Sequence, residues 1–202
     1  MRSNREKKKK STLKTILTVI STIIFLAGIG LIGYAFINYR LEAKSAKDAL
    51  DNFDAAKEQV DGNNGSDKSD LLDEKVYCKL TFNDLKTSTI IFKGSDEVTL
   101  KRGSGWMEES KKLGEKGFCV MMGHRDTSMN FIQDIQVGEI IKAETLTEEF
   151  TYKVIKIDIM NPDDVLNGED LEKPQLRLIT CYPFSYFGSA PDRFVITCDL
   201  VK

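Results

Sequence analysis

Hydrophobic positions along the chain fall into two unlike regimes. Residues 16–37, ILTVISTIIFLAGIGLIGYAFI, are an unbroken apolar run of 22 residues without a charged side chain. At about 1.5 Å per residue, a helix of that length reaches roughly 33 Å, enough for a hydrocarbon core of about 30 Å. A helix buried in a soluble core would show a polar stripe, whereas here the polar side chains are Thr18, Ser21, Thr22 and Tyr34. The pattern predicts one transmembrane helix. The run exceeds the apolar stretch of a cleaved leader, and no A-x-A site follows it, so the expectation is an uncleaved signal-anchor.

Past residue 75 the apolar runs become short and often alternate. YCKLTF (77–82) and EFTYKVIKIDI (149–159) have the period of two expected of half-buried strands, and TIIF (89–92), FCVMM (118–122) and EIIKA (139–143) are brief apolar runs. QLRLITC (175–181) and FVITCDL (194–200) complete the series. Several short strands separated by turn residues predict an all-β sandwich or barrel. Segments 106–113 and 128–135 are candidates for short helices.

Between these regimes, residues 41–60 contain good helix formers and scattered apolar positions, predicting a short helix that continues from the membrane segment, and DGNNGSDKSD (61–70) has no apolar residue and reads as a flexible linker. The predicted organisation is a cytoplasmic basic tail (1–15), a transmembrane signal-anchor (16–37), an extracellular juxtamembrane segment and linker (38–73), and a folded domain (74–202).

Charge sets the orientation. The net charge of −2 conceals a basic head: residues 1–15 hold seven Lys/Arg and one acid, while residues 38–76 hold six basic and ten acidic groups. Positive charge before a spanning helix stays in the cytoplasm. The N-terminus is therefore expected inside and the remainder outside, and an acidic body argues against a nucleic-acid partner.

Three residues could carry chemistry. His124, the single histidine, stands in GHRD (123–126) directly after an apolar strand. Cys181 ends LRLITC, and Tyr182-Pro183 follows, so the strand is expected to stop there. Arg193 opens the last strand. A thiol with a free pKa of about 8.5 needs a nearby cation to become a ready nucleophile. A histidine can pass a proton to a leaving amine, and an arginine can neutralise an oxyanion. Cys119 and Cys198 lie inside apolar strands and, with Cys78, read as core residues. The four cysteines form no CxxC, and free thiols are expected.

Three blocks then give a specific resemblance. GHRD with Phe131 and VGEII (137–141), LITC (178–181), and CYPFSYFGSAPDRFVI (181–196) together resemble a sortase catalytic domain, most closely the class D group. Arg177 stands where threonine is common in that family's cysteine motif, and Glu139 where aspartate is more usual. The resemblance implies a closed eight-stranded β-barrel with short helices. It also implies a cysteine transpeptidase cleaving an LPXTG-like sorting signal between Thr and Gly, through a thioester on Cys181. A cell-wall precursor amine (lipid II-like) would release the acyl group. His124 would act as acid and base, Arg193 would stabilise the tetrahedral intermediate, and Thr180, Tyr182 and Ala190 would contact substrate. The implied partners are surface proteins bearing the signal, the wall precursor and the membrane. A pilin-polymerising sortase, with a lysine acceptor, is the weaker alternative because residues 38–76 hold no Asp-Pro-Trp or Asp-Pro-Phe lid element; a hydrolytic cysteine peptidase and a non-catalytic sortase-like binding module are the others. No cofactor or metal is expected. Asp163, Asp164, Glu169 and Asp170 could hold calcium loosely, but solvated loop acids explain them better.

Overall fold

The computed structural model describes residues 2–62, 75–166, 172–186 and 188–202. One helix, α1, runs Arg2–Gly62. The chain divides into two compact units, Met1–Leu41 and Glu42–Lys202. In the first, Leu17–Ile37 is long and apolar enough to cross a membrane, and none of it is buried within the protein. Such a stretch is compatible with a membrane anchor.

The second unit is a closed barrel of eight strands: β1 Val76–Phe82, β2 Thr87–Lys93, β3 Ser104–Trp106, β4 Gly117–Met122, β5 Ile140–Glu144, β6 Glu149–Met160, β7 Pro174–Tyr182 and β8 Asp192–Leu200. Their order around the barrel is β1-β2-β3-β4-β7-β8-β6-β5. Closure removes the unpaired strand edges that would otherwise recruit another chain. The pairs β2–β3 and β4–β7 are parallel, and the rest are antiparallel.

Alternation decides what enters the barrel. Cys78, Leu80 and Phe82 of β1, Cys119 and Met121 of β4, Tyr152 and Val154 of β6, Leu176 and Leu178 of β7, and Ile196 and Cys198 of β8 share one inner core. Strand β7 is buried on both faces through Leu176–Thr180, which is why its sequence is nearly continuous in apolar residues rather than alternating. Its outer face shares a second apolar cluster of Val120, Val165, Ile179 and Val195. Four free cysteines are present, three of them buried.

Seven strands match the expected runs, and three features differ. Strand β3 was not expected: it has three residues, one a glycine, too few to show a period. The segment 106–113 is not a helix. A helix, α2 (Glu97–Arg102), stands earlier instead, with the Asp96 side chain capping it by accepting from the Val98 and Thr99 amides. The 128–135 expectation shrinks to a 3-10 turn, Asn130–Asp134.

The third difference concerns the approach to the barrel. Within the second unit, the end of α1 is docked on β1 and β2: Phe53 and Ala56 are buried, and Phe53 packs with Val76, Ile90 and Phe92. Lys57 bonds Glu144 and Glu149, and Lys79 bonds Asp54. The compact unit thus includes part of what reads in sequence as a juxtamembrane spacer. Most of the expected linker, from residue 63 on, lies outside the described residues.

Candidate active site

The three residues singled out in the sequence sit at one rim of the barrel, placed there by strand register. Cys181 and Arg193 are direct cross-strand partners in the antiparallel β7–β8 pair. On the other side of β7, the parallel pair with β4 ends at Met122↔Ile179. The pairing is continued by the Gly123 amide, which donates to the Ile179 carbonyl at 3.2 Å. Two residues beyond Met122 and Ile179 are His124 and Cys181. The cysteine therefore stands in the middle, with histidine on one flank and arginine on the other. Neighbouring strands lie about 4.8 Å apart. Alternation puts Cys181 on the outer face of β7, in line with Ile179, and Arg193 on the outer face of β8, in line with Val195. The Cys181 side chain is partly exposed, whereas the other three thiols are buried.

His124 is carried by a compact loop. Its carbonyl accepts from the Met129 amide at 3.0 Å and the Thr127 amide at 3.4 Å, and Met129 is fully buried. Gly123 has to be glycine. A Cβ there would lie 2.6 Å from Ser128 Oγ, 2.7 Å from Ser104 Oγ and 2.8 Å from Met129 Cγ, closer than real contacts permit. Arg193 folds back over its own loop, its Nη1 donating to the Ala190 carbonyl at 3.2 Å and the Asp192 carbonyl at 2.9 Å.

The remaining expected site residues are placed less simply. Thr180 is 2% exposed, and its hydroxyl donates to the Gly123 carbonyl at 2.7 Å. Its position differs from that expected of a substrate contact. It faces inward by alternation and ties the strand carrying Cys181 to the residue before His124. Tyr182 belongs to an aromatic group with Phe184 and Phe194, at centroid distances of 6.2 and 6.3 Å. Ala190 is half-buried, and its carbonyl holds Arg193. Asp163 and Asp164 lie on the β6–β7 connection, while Glu169 and Asp170 lie outside the described residues. Among the described residues, no group of three or more His, Cys, Asp or Glu side chains is gathered as a metal would require.

A sortase domain model matches residues 80–201, more than half of the chain. The chain belongs to the sortase family. Sortase D of Bacillus subtilis (strain 168) is 30% identical over 189 residues, covering 88% of this chain and 96% of its own. Sortase A of Bacillus anthracis is 26% identical over 203 residues, covering 92% and 95%. Among solved structures, a Sortase D5 transpeptidase of Clostridium perfringens is similar with a TM-score of 0.59 at 23% identity, covering 81% of this chain and 99% of that one. Sortase A from Corynebacterium diphtheriae gives 0.58 at 18% identity, covering 82% and 93%. The solved structures bear out the expected barrel, and family membership makes this sortase a transpeptidase.

Two arginines of the sortase barrel, one at the rim and one midway along β7, make contacts that the sequence did not reveal. Arg125, next to His124, donates from Nη2 to the Tyr186 carbonyl at 2.7 Å and the Gly188 carbonyl at 3.0 Å. It joins the histidine loop to the loop between Cys181 and Arg193. Arg177 lies buried on the outer face of β7, its Nη1 donating to the Val165 carbonyl at 2.6 Å. Both bond to backbone carbonyls remote in sequence, which no residue pattern announces.

Proposed function

We propose that this transpeptidase uses Cys181 as nucleophile, His124 as acid and base and Arg193 as oxyanion partner, cleaving an LPXTG-like sorting signal between Thr and Gly. The observation that carries the reading is the shared rim: Cys181 is paired with Arg193 across β7–β8, and the β4–β7 pairing ends at Met122↔Ile179, two residues short of His124 and Cys181. The Cys181 sulfur, its proton passed to His124, adds to the threonine carbonyl carbon, and the negative charge on the carbonyl oxygen is met by the Arg193 guanidinium. As the C–N bond breaks, His124 gives its proton to the leaving glycine nitrogen, leaving a thioester on Cys181. An amine of a cell-wall precursor then attacks the thioester, His124 takes up the amine's proton, and the sulfur departs. The protein substrates are surface proteins ending in such a signal. Residues 16–37 anchor the enzyme with residues 1–15 in the cytoplasm and the barrel on the outer face, so a short tether keeps it close to both substrates.

The test is mass spectrometry of the detergent-solubilised chain with a sorting-signal peptide and a panel of amines. The expected result is one acyl adduct, on Cys181, discharged faster by amine than by water. An adduct on Cys78, Cys119 or Cys198 would overturn the assignment of the nucleophile, and discharge to water alone would overturn the acceptor.

A further inference from the structure

The outer face of β7 presents Arg177, Ile179 and Cys181 in alternation. At about 3.3 Å per residue, Arg177 stands roughly 13 Å along the strand from the cysteine. Between them lies the apolar surface of Val120, Ile179 and Val195, onto which Val165 reaches from the β6–β7 connection. Met107, Met122 and Met160 pack at its margin; methionines adapt readily to different apolar partners.

Arg177 is an expensive residue to place here. It is 7% exposed, its guanidinium lies 3.5 Å over the Phe118 ring, and its Nε has no hydrogen-bond partner. Burial pushes its guanidinium below the usual arginine range, and the charge of Asp158 on β6 only partly offsets this. An apolar side chain would fill the outer face of a strand at less desolvation cost. What it could not do is reach a backbone carbonyl on a crossing segment, as Arg177 does at Val165.

We propose that Arg177 is a positioning residue for the peptide substrate, clamping segment 161–166 across β4 and β7 and so fixing one wall of the path to Cys181. The proposal rests on Cys181 being the nucleophile. With the clamp in place, the wall is ordered before substrate arrives, and binding does not have to supply that ordering.

The experiment uses the full chain in detergent micelles, with Arg177→Met, which keeps an apolar stem without donors, and Arg177→Lys, which keeps the charge. Three quantities are measured: kcat and KM for a sorting-signal peptide, the rate at which a small methanethiosulfonate modifies Cys181, and hydrogen exchange across 162–166. Losing one charge-assisted bond in a buried setting is expected to raise KM about tenfold in Arg177→Met. Exchange across 162–166 should speed up, and the small-reagent rate and kcat should hold. Arg177→Lys should fall between the two, and decides the matter if the methionine variant does not fold. Unchanged KM with unchanged exchange would overturn the proposal. So would a fall in kcat and small-reagent rate together with a lower melting temperature, since that marks a purely structural arginine. A wild-type chain forming no adduct on Cys181 would sink the functional reading on its own. In that case exchange across 162–166 still decides whether the clamp exists.

Discussion

Phe53 makes a sharp test of whether the end of α1 belongs to the folded domain. Its ring is 1% exposed and packs with Val76, Ile90 and Phe92, flanked by Ala49, Leu50 and Leu146. If the helix stays docked in Phe53→Ala, the truncation leaves a cavity, and substitutions of this kind cost about 3–5 kcal/mol. If the helix lifts away instead, the loss is capped by what docking contributes. That is about 2–3 kcal/mol for burying the ring and about 0–1 kcal/mol for each partly exposed ion pair, Lys57–Glu149 and Lys79–Asp54 among them. Both routes fall within about 2–5 kcal/mol, which for a domain of this size lowers Tm by roughly 5–15 °C. The assay is thermal unfolding of Glu42–Lys202, with hydrogen exchange across 49–58 to separate the routes. Lys57→Met, which removes its pairs with Glu144 and Glu149 together, should cost no more than about 2 kcal/mol. A Phe53→Ala protein melting within about 2 °C of wild type would refute the docked helix and return the segment to a mere spacer.

Further outcomes follow from the rim and the core. Cys181→Ala is expected to abolish transpeptidation and His124→Ala nearly so, and Arg193→Lys should lose most activity because lysine lacks the planar fork of donors; wild-type turnover in Arg193→Lys would remove the guanidinium from the mechanism. Iodoacetamide at pH 8 should label one cysteine per native chain, Cys181. Burial pushes the Cys119 thiol up to about 12 and the Cys78 and Cys198 thiols upward as well, so these groups stay protonated and inert until the barrel unfolds; peptide mapping of the labelled protein checks this. Thr180→Val keeps the shape of the side chain but leaves the Gly123 carbonyl without its donor. It should cost about 1–3 kcal/mol of stability and lower kcat, and unchanged unfolding in urea would show that the bond contributes nothing.

The legible parts of the fold were those where a period could accumulate. Strand β1 alternates over seven residues, β6 is long but keeps its alternation only up to the bulge between Val154 and Lys156, and the apolar density of β7 reflects its two covered faces. Strand β3 could not be read, because Ser104-Gly105-Trp106 owes its place to geometry. A Cβ on Gly105 would lie 2.1 Å from the Gly94 carbonyl oxygen, so this glycine marks a close backbone approach that looks in sequence like a turn. The helix preceding the barrel was legible as a helix from its helix formers, but its docking was not, because that depends chiefly on one aromatic residue among acids and lysines. At the rim, residue type and position at strand ends made His124, Cys181 and Arg193 candidates, and the resemblance to the sortase motifs singled them out. The buried setting of Thr180 and the reach of Arg125 and Arg177 depend on which strands lie side by side, and a single sequence does not contain that order.

Strand direction is what turns three scattered residues into one rim. His124 follows the end of β4 and Cys181 closes β7, so only a parallel β4–β7 pair brings them level. Were that pair antiparallel, the end of β4 would face the start of β7 near Pro174, about 23 Å from Cys181 at strand rise. Arg193, in contrast, opens β8, so only an antiparallel β7–β8 pair brings it beside the cysteine. One parallel and one antiparallel neighbour on the two sides of β7 are thus both required, and the barrel order supplies both. This explains why the residue order His, Cys, Arg is tied to the fold. Moving any of the three to the opposite end of its strand would carry it across the full height of the barrel, where no side-chain rearrangement could return it to the sulfur.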